Sequence, residues 1–172
     1  VARIVPYTLG DWAETRARIE REPSVRIRRL GYSVEGRPIE LVEIGNPAAP
    51  GRVFLRARAH PWESGGSWVL EGLIRRLLAK SAEADPWRET LCVQFLPLAN
   101  PDGVARGMSR YTVRGFDLNR GWGRPDEIPA ELCPEHAALV RWLNEVRIAG
   151  RGPKLAIDLH NDENGRLHFA HT

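Results

Sequence analysis

The stretch Val53-Phe54-Leu55-Arg56-Ala57-Arg58-Ala59-His60-Pro61-Trp62-Glu63-Ser64-Gly65-Gly66-Ser67-Trp68-Val69-Leu70 changes character halfway along. Residues 53–59 read as a strand that leads straight into His60. Residues 67–80 place Val69, Leu70, Leu73, Ile74, Leu77 and Leu78 at helical spacing, which predicts an amphipathic helix. Between the two elements stand an imidazole and a carboxylate three residues apart, His60 and Glu63. Zinc sites use histidine nitrogen and carboxylate oxygen, and a catalytic zinc takes three protein ligands plus a water. A second short strand, residues 154–159, ends at His160 in Ala156-Ile157-Asp158-Leu159-His160. Carboxyl ends of neighbouring strands in an α/β sheet converge on one crevice, so His160 is the natural third ligand. A surface histidine near a glutamate also fits the HxxE spacing, and the second strand-terminal histidine leaves both readings open.

Working outward, residues 8–22 read as a helix capped by Thr8 or Asp11 and stopped by Pro23. Two short β runs, 25–30 and 39–44, flank the turn Glu35-Gly36-Arg37-Pro38. Residues 45–51 form a loop. Residues 91–98 are a near-continuous apolar run, as expected for a strand buried on both faces. Residues 134–146 form a second amphipathic helix with Ala138, Leu139, Trp142, Leu143 and Val146 on one face. Residues 99–133 contain no long periodic segment, and connections of that length inside a compact domain are often functional. The order argues for an α/β fold, a mixed mostly parallel sheet flanked by helices, in a single domain over 1–172.

Composition narrows the classes. The 172 residues carry 25 Lys+Arg against 22 Asp+Glu, a net charge of +3. All the cations except Lys80 and Lys154 are arginines, and they are spread rather than striped with aromatics, which argues against nucleic-acid binding. No apolar run approaches the ~18 residues of a membrane span, and Val1–Pro6 does not read as a secretory signal. Cys92 and Cys133 are too few for a disulfide framework and read as ordinary buried thiols in a reducing, cytoplasmic compartment.

Four spaced segments resemble the zinc metallocarboxypeptidase family, and most closely its cytosolic carboxypeptidase-like branch. They are His60-Pro61-Trp62-Glu63-Ser64-Gly65-Gly66-Ser67-Trp68-Val69, Asn100-Pro101-Asp102-Gly103, Gly115-Phe116-Asp117-Leu118-Asn119-Arg120-Gly121-Trp122, and Asp158-Leu159-His160. The run 31–39 also matches the strand-turn-strand signature upstream of the family's metal motif, so the resemblance extends from about residue 27 to the end. It implies a metallocarboxypeptidase-like fold and one Zn2+ held by His60, Glu63 and His160. It further implies that Asp117 backs His60, that Arg110 polarises the scissile carbonyl, and that Asn119 and Arg120 grip the terminal carboxylate of a peptide or protein substrate. A guanidinium fork suits that last task, because it can bind a carboxylate through two parallel bonds. The implied reaction is hydrolysis of the C-terminal peptide bond. Two alternatives are a zinc amidohydrolase acting on an acylated amino acid or cell-wall peptide, and a zinc- or peptide-binding module without turnover.

Two departures accompany the resemblance. The chain ends at Thr172, soon after His160, whereas the family domain continues through further strands and helices, one of which carries the general-base glutamate. The chain therefore reads as the N-terminal part of a catalytic domain, weakly active or inactive alone, with an uncovered sheet edge or apolar face; Glu163 is too close in sequence to stand at the aligned position. Asn161 occupies a place where a small residue usually follows the histidine. The remaining conspicuous residues have plainer readings. Asn100–Gly103 is a good turn, Arg106, Arg114 and Arg124 are loop charges, Trp62 and Trp122 are packing residues, and His136 is an ordinary surface histidine. No motif places His168 or His171 at the metal.

Overall fold

The computed structural model describes residues 4–161 and the backbone of 167–171; in one six-stranded sheet it places His160 on a strand and His60 in the turn three residues past the end of the adjacent strand, which stops at Ala57 rather than running on to residue 59. The strands are β1 (Val25–Tyr32), β2 (Pro38–Gly45), β3 (Gly51–Ala57), β4 (Leu91–Leu96), β5 (Leu155–Asn161) and β6 (Leu167–His171), in the order β1-β2-β4-β3-β5-β6. Strand β3 pairs parallel with β4 and β5, while the β1/β2, β2/β4 and β5/β6 pairs are antiparallel. Strands β1, β3, β4 and β5 therefore run one way, and β2 and β6 the other. The parallel core is the part that lies beneath the site.

Helices cover both faces. On one, α1 (Leu9–Ile19) and α2 (Gly65–Leu78) press Trp12, Ile19, Leu70, Ile74 and Leu77 onto Val42, Ile44, Leu55, Phe95 and Leu159. On the other, Ala138, Leu139 and Trp142 of α5 (Pro134–Ile148) pack on Ile39, Leu41, Phe54 and Leu96. Central strands buried on both faces explain why residues 91–96 lack alternation. Gly66 lets α2 lie directly on the sheet: a Cβ there would stand 3.0 Å from Leu159 Cβ and 3.1 Å from Ala57 Cβ. Thr8 and Asp11 form the N-terminal capping box of α1, with Thr8 N–H donating to Asp11 Oδ2 at 2.6 Å. This helix stops at Ile19, short of the expected residue 22, because Pro23 disfavours helical backbone at the residue before it. Among the described residues no helix is long and apolar enough to cross a membrane.

Short elements interrupt what the periodicity leaves blank. Helix α3 (Asp85–Thr90) leads into β4, α4 (Pro101–Ala105) occupies the start of the long segment, and Pro125–Glu127 forms one 3-10 turn. The Asn100–Gly103 turn is the entry to α4, with Asn100 Oδ1 accepting from Gly103 N at 2.9 Å. Asp102 is fully buried. It accepts Ser33 Oγ–H at 2.6 Å, Glu35 N–H at 2.9 Å and Arg37 Nη1–H at 2.8 Å, and so pins the β1–β2 turn to α4.

His136 corrects an expectation. It is buried at 1% exposure, its ring 4.7 Å from that of Trp122 and 5.7 Å from that of Phe116. The long segment folds these two aromatics over the start of α5, which a helical face read in isolation does not show. Burial lowers the His136 pKa and favours the neutral ring. Trp122 and Trp62 are half-buried, and Trp122 packs against the α5-side core. Arg106, Arg114 and Arg124 are exposed, paired respectively with Glu35, the Glu131 carbonyl and Glu127. Cys92 and Cys133 are buried free thiols. Glu163 lies outside the described residues, as do the side chains of His168 and His171.

Candidate metal centre

Strand β3 ends at Ala57, and the chain then turns sharply. Arg58 adopts φ 62°, the left-handed region that L side chains rarely enter. Its buried guanidinium holds the turn by donating to the Pro61 carbonyl (Nε, 2.8 Å) and to the Tyr7 carbonyl (Nη1, 2.8 Å). Burial pulls its pKa down to about 10. This turn delivers His60 and Glu63 just before α2, with Trp62 N–H donating to the Ser109 carbonyl at 3.3 Å. From the adjacent strand, where Leu159 is in register with Ala57, comes His160.

The three side chains meet. Glu63 Oε1 lies 2.8 Å from His60 Nδ1, and Glu63 Oε2 lies 2.8 Å from His160 Nδ1. The candidate ligand atoms of His60, Glu63 and His160 all fall within 4.8 Å of one another. Both rings thus turn the same nitrogen inward. Their outer nitrogens face carboxylates: His60 Nε2 is 3.1 Å from Asp117 Oδ1, and His160 Nε2 is 3.0 Å from Asp158 Oδ2. The second contact is near enough for ionic attraction but off the direction of a good hydrogen bond, and Asp158 Oδ1 is buried without a partner.

These contacts set the charge states. Burial pushes the Glu63 carboxyl up, but the bonds to His160 and His60 outweigh it and leave its pKa at about 2. Burial pulls the His160 ring down, yet Asp158 and Glu63 together raise it to about 9. Asp117 and Asp158 are both held below the ordinary carboxylate range despite burial: Asp117 by the Asn119 N–H, His60 and Arg110, Asp158 by His160 and Arg56. A divalent cation between the inward nitrogens and Glu63 would take the place of protons there. The donor set, two imidazoles and one carboxylate with carboxylates behind both rings, fits zinc.

The remaining residues singled out in the sequence divide into two groups. Arg110 and Asp117 join the cluster directly, since Arg110 Nε donates to Asp117 Oδ2 at 2.9 Å. Asn119 is attached through its backbone, its N–H donating to Asp117 Oδ1 at 2.9 Å. Arg120 is exposed, and its Nη1 donates to the Asn119 carbonyl at 3.0 Å. Its guanidinium is tied to the cluster only through the chain. Sequence reading passed over Arg58 and over Asp158 as a partner of His160. The available signals were an arginine inside a buried strand and an aspartate two residues before a strand-terminal histidine, hence on the same strand face.

Comparison with known proteins agrees with this geometry. A profile of the zinc carboxypeptidase family matches residues 13–165. Cytosolic carboxypeptidase 1 of Danio rerio is 38% identical over 108 residues, 63% of this chain and 9% of that protein. Cytosolic carboxypeptidase 6 of Caenorhabditis elegans is 34% identical over 135 residues, 73% of this chain and 29% of its own length. In three dimensions, the metallo-carboxypeptidase of Burkholderia cenocepacia superposes with a TM-score of 0.84 at 30% identity, over 94% of this chain and 43% of that one. The chain spans less than a third of these cytosolic relatives and under half of the bacterial structure. With the profile running from α1 past β5, the strand that carries His160, the chain belongs to the zinc carboxypeptidase family.

Proposed function

We propose that this chain carries the metal-binding half of a carboxypeptidase centre, with one zinc held by His60, Glu63 and His160. The observation that carries the reading is the convergence of both inward Nδ1 atoms on Glu63, while Asp117 and Asp158 stand behind the rings. Such backing carboxylates fix the tautomer of a histidine ligand and raise its basicity. When bound, zinc supplies a Lewis acid for the scissile carbonyl and lowers the pKa of a bound water toward ~7.

The chain's own residues supply the rest. Arg110 is held through Nε by Asp117, which leaves its terminal nitrogens to face a carbonyl oxygen as negative charge develops there. Asn119 and Arg120 stand two and three residues after Asp117 and orient a substrate by its terminal carboxylate, the proximity contribution. Glu63, Asp117 and Asp158 each hold an imidazole, so none of them is assigned the role of general base. A proton shuttle is worth 10²–10⁴-fold, and these three carboxylates are committed instead to holding the rings. The same reading extends to compartment: the curated relatives are named cytosolic, and the two thiols here are free.

The test is release of the last residue from paired peptides, one a free acid and one C-terminally amidated, by the active protein that contains these residues. Arg120→Ala should lower kcat/KM on the free acid by about 10–100-fold, which corresponds to about 1.5–3 kcal/mol for a lost charge-assisted bond. The amide should be affected much less. Equal losses on both peptides would make Arg120 a structural residue, and a native preference for amides or acylated amino acids would favour the amidohydrolase reading.

A further inference from the structure

A charged side chain lies where the sheet meets the α5 layer and takes no direct part in the centre described above. Arg56, one residue before the end of β3, is only 5% exposed. Its register partner on β5 is Asp158, and its Nη2 donates to Asp158 Oδ2, the same oxygen that faces His160 Nε2. On the other side its Nη1 lies 3.4 Å from the Leu118 carbonyl. Leu118 stands between Asp117, which backs His60, and Asn119. The guanidinium carbon sits 5.0 Å from the centre of the Trp122 ring, whose Nε1–H donates to the same Leu118 carbonyl at 3.1 Å.

Arg56 is thus the one described side chain that touches both the carboxylate behind His160 and the backbone of the segment behind His60. A buried charge costs stability unless it is paired and hydrogen-bonded. Asp158 needs a partner of its own, since its Oδ1 has none and its Oδ2 is shared. The planar fork of arginine donates to two acceptors in fixed directions while its plane stacks on an indole, a geometry that the point charge of lysine does not reproduce.

We propose that Arg56 is a positioning residue for the metal centre, fixing the orientation of His160 through Asp158 and the seat of Asp117 through the Leu118 carbonyl. The inference rests on the reading of His60, Glu63 and His160 as a metal centre. Groups directly behind a ligand change metal affinity by 10–100-fold when removed; Arg56 stands one contact further out, behind Asp158, so its removal should cost less, but it should still change ligand geometry, which a purely structural prop does not.

Cobalt(II) reports both quantities, because its visible absorption depends on coordination geometry. The 172-residue chain, stripped of metal, is titrated with cobalt alongside Arg56→Met, Arg56→Lys and Arg52→Met. Arg52 lies on the same strand and is equally buried, but it donates to the Pro47 carbonyl away from the site, so it controls for loss of a buried arginine. The expected result is one cobalt per native chain, an affinity weaker by about 3–10-fold, below the range for a direct ligand partner, with an altered visible spectrum for Arg56→Met, and an intermediate loss for Arg56→Lys. Arg52→Met should match the native chain. The proposal is overturned if folded Arg56 variants keep the native affinity and spectrum, or if Arg52→Met loses as much as Arg56→Met. It is equally overturned if neither Arg56 variant folds, since Arg56 would then be a determinant of the fold. A native chain that binds no cobalt would instead overturn the metal-centre reading, and this inference with it.

Discussion

Glu63 sits between two imidazoles with its charge preserved against burial, and this arrangement has consequences that depend on pH. In the metal-free chain its pKa falls from the ordinary 4.5 to about 2, so its contribution to stability is present above 4.5 and is lost as pH falls toward 2. His160 moves the other way, from 6.5 to about 9, so its contribution is full below 6.5 and is lost as pH rises through 9. Thermal melts of the metal-free chain should therefore peak between about pH 4.5 and 6.5 as far as these two groups decide it. Zinc affinity should rise with pH over the upper range, because the metal must displace the His160 proton. A zinc affinity that stays flat from pH 6 to 9 would contradict the charge states assigned here. Asp117→Asn should weaken zinc binding by about 10–100-fold while leaving secondary structure intact, as measured by competition with a chelator. The pattern around His60, Glu63 and His160 leaves a surface-histidine reading open, and the resemblance to the zinc carboxypeptidases is what selects these three residues as candidate ligands. Asp158 leaves a local signal, two residues before His160 on one strand, whereas the Arg56–Asp158 pair depends on the β3/β5 register, and local sequence does not encode which strands become neighbours.

The turn between β3 and α2 is where element geometry becomes site geometry. Gly103 of α4 is packed against it so closely that a Cβ would collide with the Pro61 ring and with Asn100 Oδ1. Gly103→Ala should cost about 1–3 kcal/mol by overpacking. It should also reduce metal affinity, because Pro61 is the neighbour of His60. Denaturant melts with and without zinc would separate the two effects. Asp102→Ala should cost about 1.5–3 kcal/mol, because it strips a buried carboxylate from Ser33, the Glu35 N–H and Arg37. A loss below about 0.5 kcal/mol would show that water replaces it easily. The long elements could be read ahead: α2, α5 and β4 each carry enough residues for a period or an unbroken apolar run to stand out. Helix α4, at five residues, is too short to show periodicity, and its first turn looks like any Asn-Pro-Asp-Gly turn. His136 was misread for a related reason, since the aromatics that bury it come from the segment with no pattern of its own.

For the molecule as a whole, composition and alternating helix and strand signals pointed to a layered α/β sheet, but not to β4 lying between β2 and β3. That insertion widens the parallel centre to β4, β3 and β5, and the site lies at the ends of β3 and β5. The layers also seal the thiols. Burial raises the Cys92 thiol and pushes Cys133 up to about 12, so neither should react with a thiol reagent at pH 8 until the chain is unfolded. Rapid labelling of the folded chain would show that the sheet opens readily. The central claim is that these layers bring three distant side chains together as a single metal site. Equilibrium dialysis against zinc, followed by metal analysis of the native chain and of folded Glu63→Ala and His160→Ala, tests it most directly. The account predicts about one zinc per native chain and sharply reduced zinc in both variants; native occupancy in both would contradict it.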